Sequence, residues 1–202
     1  MRTLVIETAT EACSAALFDG KVLLAGRYEV IGRGHVERLV PMIAELPDNG
    51  RAERIAVSLG PGSFTGVRIG LAAARALGLA WDAPVAGYPT LALVAAMAQS
   101  ERAGPITVCM TGGHGEWFIQ DFAADRTAHG DPRSVTPADA TAAGGHHLVA
   151  GSAAEALVRL RGTGEALPLL PDARCWPFLR EAQLIERIAP IYGRAPDARL
   201  PA

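Results

Sequence analysis

The run Gly60-Pro-Gly-Ser-Phe-Thr-Gly puts three glycines and a proline into seven residues, between a short apolar segment at 55–59 and an Ala- and Leu-rich stretch at 67–81. A chain that passes from strand-like to helical periodicity across such a run must turn tightly there. The backbone N–H groups and helix dipole at that junction can hold an anion. The same glycines also allow the loop to lie directly against another backbone. The run matches neither standard phosphate signature. No Gly-Lys-Ser/Thr follows, and glycines at 60, 62 and 66 miss the dinucleotide spacing by one residue. Ser63 and Thr65 have no evident base nearby and read more naturally as helix caps than as nucleophiles. Gly60, Gly62, Ser63, Thr65 and Gly66 are therefore the candidate loop site, with phosphate binding and close backbone packing both open.

Upstream, residues 2–10 and 13–18 are rich in extended-chain formers, and Asp19-Gly20 offers a turn back into a third strand at 22–30. Val36, Leu39, Val40 and Ile43 then recur at helical spacing within 35–46, with Pro41 predicting a bend or a late start. The stretch 67–81 is apolar on nearly all sides apart from Arg68 and Arg75, so the helix it predicts must be covered. A strand at 84–87 and a helix at 91–99, capped by Thr90, complete a first lobe of residues 1–102. Glu101-Arg-Ala-Gly-Pro reads as the hinge to a second, smaller lobe of residues 103–202. There, 106–110 and 116–122 resemble strand, turn and strand, a faint echo of the opening meander. Residues 123–147 read as loops and edges, 147–150 as a strand, 153–160 as a helix capped by Ser152, 178–188 as a last amphipathic helix, and 190–202 as irregular. The expected class is α/β, with mixed sheets flanked by helices.

Composition excludes several functions. The longest unbroken apolar run, 91–98, is far short of the roughly 20 residues of a bilayer-spanning helix. Glu7 ends the N-terminal apolar run before a secretory core could form, so the chain reads as cytoplasmic, with no membrane contact. A net charge of -2 gives no global field for nucleic acid. Lys21 is the single lysine, which disfavours Schiff-base chemistry. Cys13, Cys109 and Cys175 form no CxxC pair and read as reduced, structural thiols. His35 lacks a second ligand four residues on, where Leu39 stands, and His114, His129, His146 and His147 have no carboxylate at useful spacing; no metal site is assigned. Glu116 and Asp121 would point to opposite faces of a strand, which spoils a paired-carboxylate mechanism. No catalytic residue is assigned either.

Three segments carry a family resemblance: Leu4-Val-Ile-Glu-Thr-Ala-Thr-Glu-Ala-Cys-Ser, His35-Val-Glu-Arg-Leu-Val-Pro-Met-Ile, and Gly60-Pro-Gly-Ser-Phe-Thr-Gly-Val-Arg-Ile-Gly. Together they resemble the TsaB family, the non-catalytic subunits of the bacterial machinery that makes threonylcarbamoyladenosine at position 37 of certain tRNAs. Gly115-Glu116-Trp117 and Pro190-Ile-Tyr-Gly-Arg are weaker matches. The resemblance implies an actin-like, Hsp70-like ATPase fold of two ribonuclease-H-like lobes. It implies a catalytic transferase paralogue as partner, a small P-loop ATPase as a further subunit, and tRNA reached only through the complex. The paralogue binds metal through two histidines four apart on its first helix; here only His35 remains. Two features depart from the family: Glu7 stands where relatives carry Asp, and Thr111-Gly-Gly-His replaces an Asp-Ala-Arg-like segment.

Two apolar helices side by side would form a contact surface. Its expected residues are His35, Val36, Leu39, Val40, Ile43, Val67, Arg68, Leu71, Ala74 and Arg75. The expected function is that of a scaffold that activates the transferase. A homodimer through the same helices is the other pairing it allows, and ATP or ADP would sit at the complex interface, with no cofactor assigned to this chain. The competing reading is an independent hydrolase or phosphotransferase that uses the glycine loop; the older glycoprotease label finds no nucleophile or metal pair here.

Overall fold

In the computed structural model, which describes residues 1–193, the chain is organised around two five-stranded sheets. Strands β1 (Arg2–Glu7), β2 (Ala12–Asp19) and β3 (Val22–Val30) form the antiparallel meander expected from their composition. Gly20, at φ 58°, makes the turn between β2 and β3 in the left-handed region that favours glycine. On the other side of β1, β4 (Arg54–Ser58) and β5 (Val85–Tyr88) add in parallel, giving the order β3-β2-β1-β4-β5. Parallel neighbours require crossovers. Helices α1 (His35–Ala44) and α2 (Phe64–Trp81) lie in those connections, on one side of the sheet.

Helix α3 (Thr90–Glu101) leads into the second sheet. Here β6 (Ile106–Thr111), β7 (Trp117–Phe122) and β8 (Ala128–Val135) are antiparallel, while β9 (Leu148–Ala150) and β10 (Glu165–Leu167) run parallel beside β6. Their crossovers carry α4 (Pro137–Ala143) and α5 (Ala154–Arg161). The order β8-β7-β6-β9-β10 repeats the first sheet strand for strand, so the faint echo of the meander is a full topological repeat.

The layers follow from which faces are apolar. Leu4, Ile6, Cys13, Ala15 and Leu17 face α1 and α2, whereas Val5, Ala16 and Phe18 face α3, as the alternation of a strand requires. α3 is apolar all round because it is buried between the sheets, against Ile106, Val108, Met110 and Phe122 of the second. A smaller core, with Cys109, Ile119, Val149 and Leu157, lies under α4 and α5.

Several expectations give way. β8 and α4 occupy the stretch expected to be loop. α4 is nucleated by the Thr136 cap and by Pro137 at its first position, signals masked by the Ala- and Gly-rich composition. Thr90 does not cap α3: its hydroxyl is 2.6 Å from that of Ser58, and Pro89 holds the cap position. Ser152 accepts from the Thr111 N–H instead of capping α5. The helix expected at 178–188 is absent; after the 3-10 turn Ala173–Phe178, that stretch holds only one further short turn, Glu181–Gln183. Residues 173–192 then return to the first sheet, where Ile185 pairs with Gly87 and packs with Ile188 and Ile191 against the α1–α2 core. The irregular tail expected at 190–202 lies, beyond residue 193, outside the described residues.

Candidate functional site: the glycine loop and the paired helices

The glycine loop is a packing element. A Cβ on Gly62 would meet the Ala9 carbonyl oxygen at 2.1 Å, and one on Gly66 would meet the Thr8 carbonyl oxygen at 2.1 Å. Only glycine permits such an approach of two backbones. The Ser63 N–H donates to Ala9 O at 2.6 Å, the Thr8 hydroxyl donates to Gly66 O at 2.8 Å, and Ser63 Oγ accepts from the Gly66 N–H at 3.2 Å as the cap of α2. Gly60 N–H reaches Ser58 Oγ at 3.3 Å. Of the two readings left open by the sequence, close packing is the one these contacts support. The donors of Gly60, Ser63, Gly66 and Val67 are used within the chain. Thr65 lies exposed on the first turn of α2.

Glu7 ends β1 beneath this loop, fully buried, with Oε1 accepting the Ala9 N–H at 2.7 Å and Oε2 without a partner. Burial pushes its carboxyl up to about 7, against the opposing pull of the Ala9 N–H and of the nearby Ser58 and Tyr88 hydroxyls. Those hydroxyls engage other groups: Tyr88 donates to Ile6 O at 2.9 Å, and Ser58 pairs with Thr90. His35 is also internal. Its Nε2 lies 3.2 Å from Ala12 O, and because a carbonyl only accepts, that nitrogen carries the proton and ties the start of α1 to β2. Among the described residues no group of three or more His, Cys, Asp or Glu side chains is placed to hold a metal ion. Burial raises the Cys13 and Cys175 thiols to about 11 and Cys109 to about 12, far from the range of an activated nucleophile. Asp121 accepts from Thr107 and Gly145, and the Ser134 hydroxyl donates to Glu116, so the two carboxylates serve separate structural contacts.

The ten expected contact residues divide. His35, Leu39, Ile43, Val67, Leu71 and Ala74 point into the chain's own core. The reason is helical phase. Both helices must first cover the sheet that bears Leu4, Ile6 and Leu17, and their most apolar stripes do so. What remains outward is Val36 and Val40 on α1, 62% and 61% exposed, with Phe64, Ala72, Ala76 and Leu79 on α2. Leu79 is 88% exposed. Sequence reasoning missed Phe64, Ala72, Ala76 and Leu79, although their spacing, 72, 76 and 79–80, is itself a helical stripe. α1 is held on the sheet by Arg38, which pairs with Glu29 and Glu45, the latter also bound by Arg27. Arg68 and Arg75 turn to the C-terminal segment: Arg68 donates to the Tyr192 hydroxyl at 3.2 Å and Arg75 to Ile188 O at 2.8 Å.

A strand-order repeat with helices outside each sheet and one buried helix between them defines an α/β protein of the actin-like ATPase, ribonuclease-H-like class. Residues 29–139, more than half of the chain, match the family described as tRNA N6-adenosine threonylcarbamoyltransferase, TsaD, and the chain belongs to that family. Within it the chain is similar to TsaB proteins. It is 35% identical over 139 residues to the tRNA threonylcarbamoyladenosine biosynthesis protein TsaB of Escherichia coli, a match covering 65% of this chain and 60% of that protein. It is 38% identical over 98 residues to the Haemophilus influenzae TsaB, covering 46% and 41%. The matched stretches thus span less than two thirds of these relatives' own lengths. The solved structure of YeaZ from Pseudomonas aeruginosa is similar throughout, with a TM-score of 0.80 at 28% identity, covering 95% of this chain and 99% of that one. No helix among the described residues is long and apolar enough to cross a membrane.

Proposed function

We propose that the chain is a non-catalytic, activating subunit in the synthesis of threonylcarbamoyladenosine in tRNA, working in the cytoplasm by docking α1 and α2 onto a catalytic transferase paralogue. The observation that carries this reading is the outward apolar stripe of Val36, Val40, Ala72, Ala76 and Leu79 on two adjacent helices. Small residues on α2 let another helix approach closely, and the exposed leucine and valines gain burial only when one does. The naming of its relatives as threonylcarbamoyladenosine biosynthesis proteins supports the pathway. In this reading the first lobe, residues 1–102, carries the docking helices and the second, residues 103–202, is secondary. A small P-loop ATPase joins the assembly, tRNA is met only through it, and any ATP or ADP is bound at the interface between subunits.

Ala76→Glu and Leu79→Asp test the reading, because both positions face outward and the folded chain tolerates a charge there. An unpaired charge inside a packed interface costs about 3–5 kcal/mol, so either variant should lose co-purification with the paralogue and fail to restore the modified nucleoside in a strain depleted of this chain. Normal capture of the paralogue by both variants would overturn the docking face. Calorimetric titration of the isolated chain with ATP and ADP, with a turnover assay, separates this reading from that of an independent hydrolase or phosphotransferase, which requires binding and turnover.

A further inference from the structure

The C-terminal segment 185–192 runs as a strap beside β5 and reaches the base of the glycine loop and one flank of α2. Ile185 and Gly87 exchange two backbone hydrogen bonds at 2.7 and 2.8 Å, and the Ile191 N–H donates to Leu59 O at 2.7 Å, at the base of the glycine loop. Two arginines of α2 hold the strap from the helix side: Arg75 grips Ile188 O, and Arg68, stacked 3.3 Å above the Phe64 ring, donates to Tyr192. One residue further, Gly193 O accepts from the Ser134 N–H of β8, so the same segment is anchored on both sheets. Ile185, Ile188 and Ile191 bury against the core shared with α2.

We propose that this strap is a clamp that fixes α2 for docking, and that Arg68 and Arg75 serve the partner interface indirectly, by gripping the strap, rather than by touching the partner. The proposal deepens the function above and rests on it. α2 is attached to the sheet through one face, where Gly66 and Gly70 lie against Thr8 and where Val67 and Leu71 are buried. The strap supplies a second attachment along the flank, so releasing it should loosen α2 and displace the Ala72–Ala76–Leu79 stripe from its docking position.

The test uses the full chain with the double variant Arg68→Ala/Arg75→Ala, and separately Ile191→Pro, which removes the bond to Leu59 O and alters neither arginine. Hydrogen–deuterium exchange on the free chain and capture of the catalytic paralogue are measured for each. Both variants should raise exchange of the amides at 62–74 at least tenfold and weaken capture at least fivefold. Unchanged exchange in both would overturn the clamp. Faster exchange with unchanged capture would overturn its coupling to docking, and so would weakened capture by the arginine variant alone without faster exchange, which assigns the arginines to the partner. Failure of the docking face itself is read separately, from normal capture by Leu79→Asp.

Discussion

The two halves of the molecule share one strand order and differ in everything laid upon it. In the first, β1 and β2 are almost wholly buried, and the outer layer consists of helices of 10 and 18 residues. In the second, β8 is largely exposed, and the outer helices have 7 and 8 residues. The first half therefore holds a long helix whose inner face saturates the sheet and whose outer face is left apolar. The second half's short helices cover their small core and leave a mixed face outside: Ala138, Asp139 and Ala142 on α4, and Glu155, Arg159 and Leu160 on α5. A topology specifies where helices lie, but only their length and phase decide whether a surface is left for another protein.

The largest expected effect breaks the comparison inside a single helix. Ala74 is fully buried under α2, so Ala74→Glu places an unpaired carboxylate in the core. The expected cost is about 4 kcal/mol or more, a large part of the 5–15 kcal/mol of a typical domain. Circular dichroism melts should show a chain unfolded or close to it, while Leu79→Asp, five residues along on the outer face, melts within a few degrees of the parent. Equal melts for the two would mean that α2 is rotated from the phase described. Next comes the glycine loop. Gly66→Ala drives a methyl group into the Thr8 carbonyl, and should cost about 3 kcal/mol in urea titrations. Gly113→Ala, in the β6–β7 turn of the second half, where a Cβ meets nothing within 4 Å, should stay within about 0.5 kcal/mol.

Glu7 sharpens the contrast through pH. Its carboxyl titrates near 4.5 in the unfolded chain and about 7 in the folded one. Below 4.5 both states hold the proton. Between 4.5 and 7 the unfolded state releases it while the native state keeps it, so stability falls as pH rises, and above about 7 the loss is complete. The difference of about 2.5 pH units corresponds to roughly 3 kcal/mol. Glu7→Gln keeps an acceptor for the Ala9 N–H and should abolish this slope between pH 5 and 8, leaving the variant more stable than the parent at pH 8 by roughly 2 kcal/mol. An unchanged slope in urea midpoints would assign the titration to another group.

Legibility divided along the same line as the structure. In the first half each strand and helix announced itself: the run 13–18, the turn at Asp19-Gly20 and the stripe Val36, Leu39, Val40, Ile43 all fell where the chain folds. The glycine loop's position was readable, but its role was not, because Thr8 and Ala9 lie more than fifty residues away in sequence and only the fold brings their carbonyls to Gly62 and Gly66. Periodicity identifies the most apolar stripe of a helix, and on α1 and α2 that stripe belongs to the core, which leaves a second stripe at Ala72, Ala76 and Leu79 outside. In the second half, β8 carries His129, Gly130, Asp131 and Pro132, residues that argue against a strand; it forms because β7 offers it an edge. The strap was invisible for the same reason: Leu184, Ile185, Ile188 and Ile191 recur at helical spacing, but the chain forms no helix there and its partners are Gly87, Leu59, Arg68 and Arg75.

The smallest expected effect compares the two helix caps. Ser63 Oγ and Thr136 Oγ1 each accept a backbone N–H at 3.2 Å, from Gly66 and Asp139, and removing such a cap typically costs about 1 kcal/mol. The caps are geometrically alike, but the helices behind them are not. α2 has 18 residues, a buried face and a bond from the Thr8 hydroxyl to Gly66 O, so its first turn stays in place without Ser63. α4 has 7 residues and one buried side chain, Ala140, and below about 12 residues a helix has little stability of its own. Thr136→Ala also removes the hydroxyl that donates to Asp139 Oδ2 at 2.7 Å. Hydrogen exchange should therefore show α4 opening as a unit in Thr136→Ala, by roughly fivefold to tenfold for a loss of about 1 kcal/mol. Ser63→Ala should accelerate the Gly66 amide and leave the remainder of α2 protected. If Ser63→Ala loosened the whole of α2 instead, the cap would be holding that helix and the packing of Gly66 against Thr8 would not.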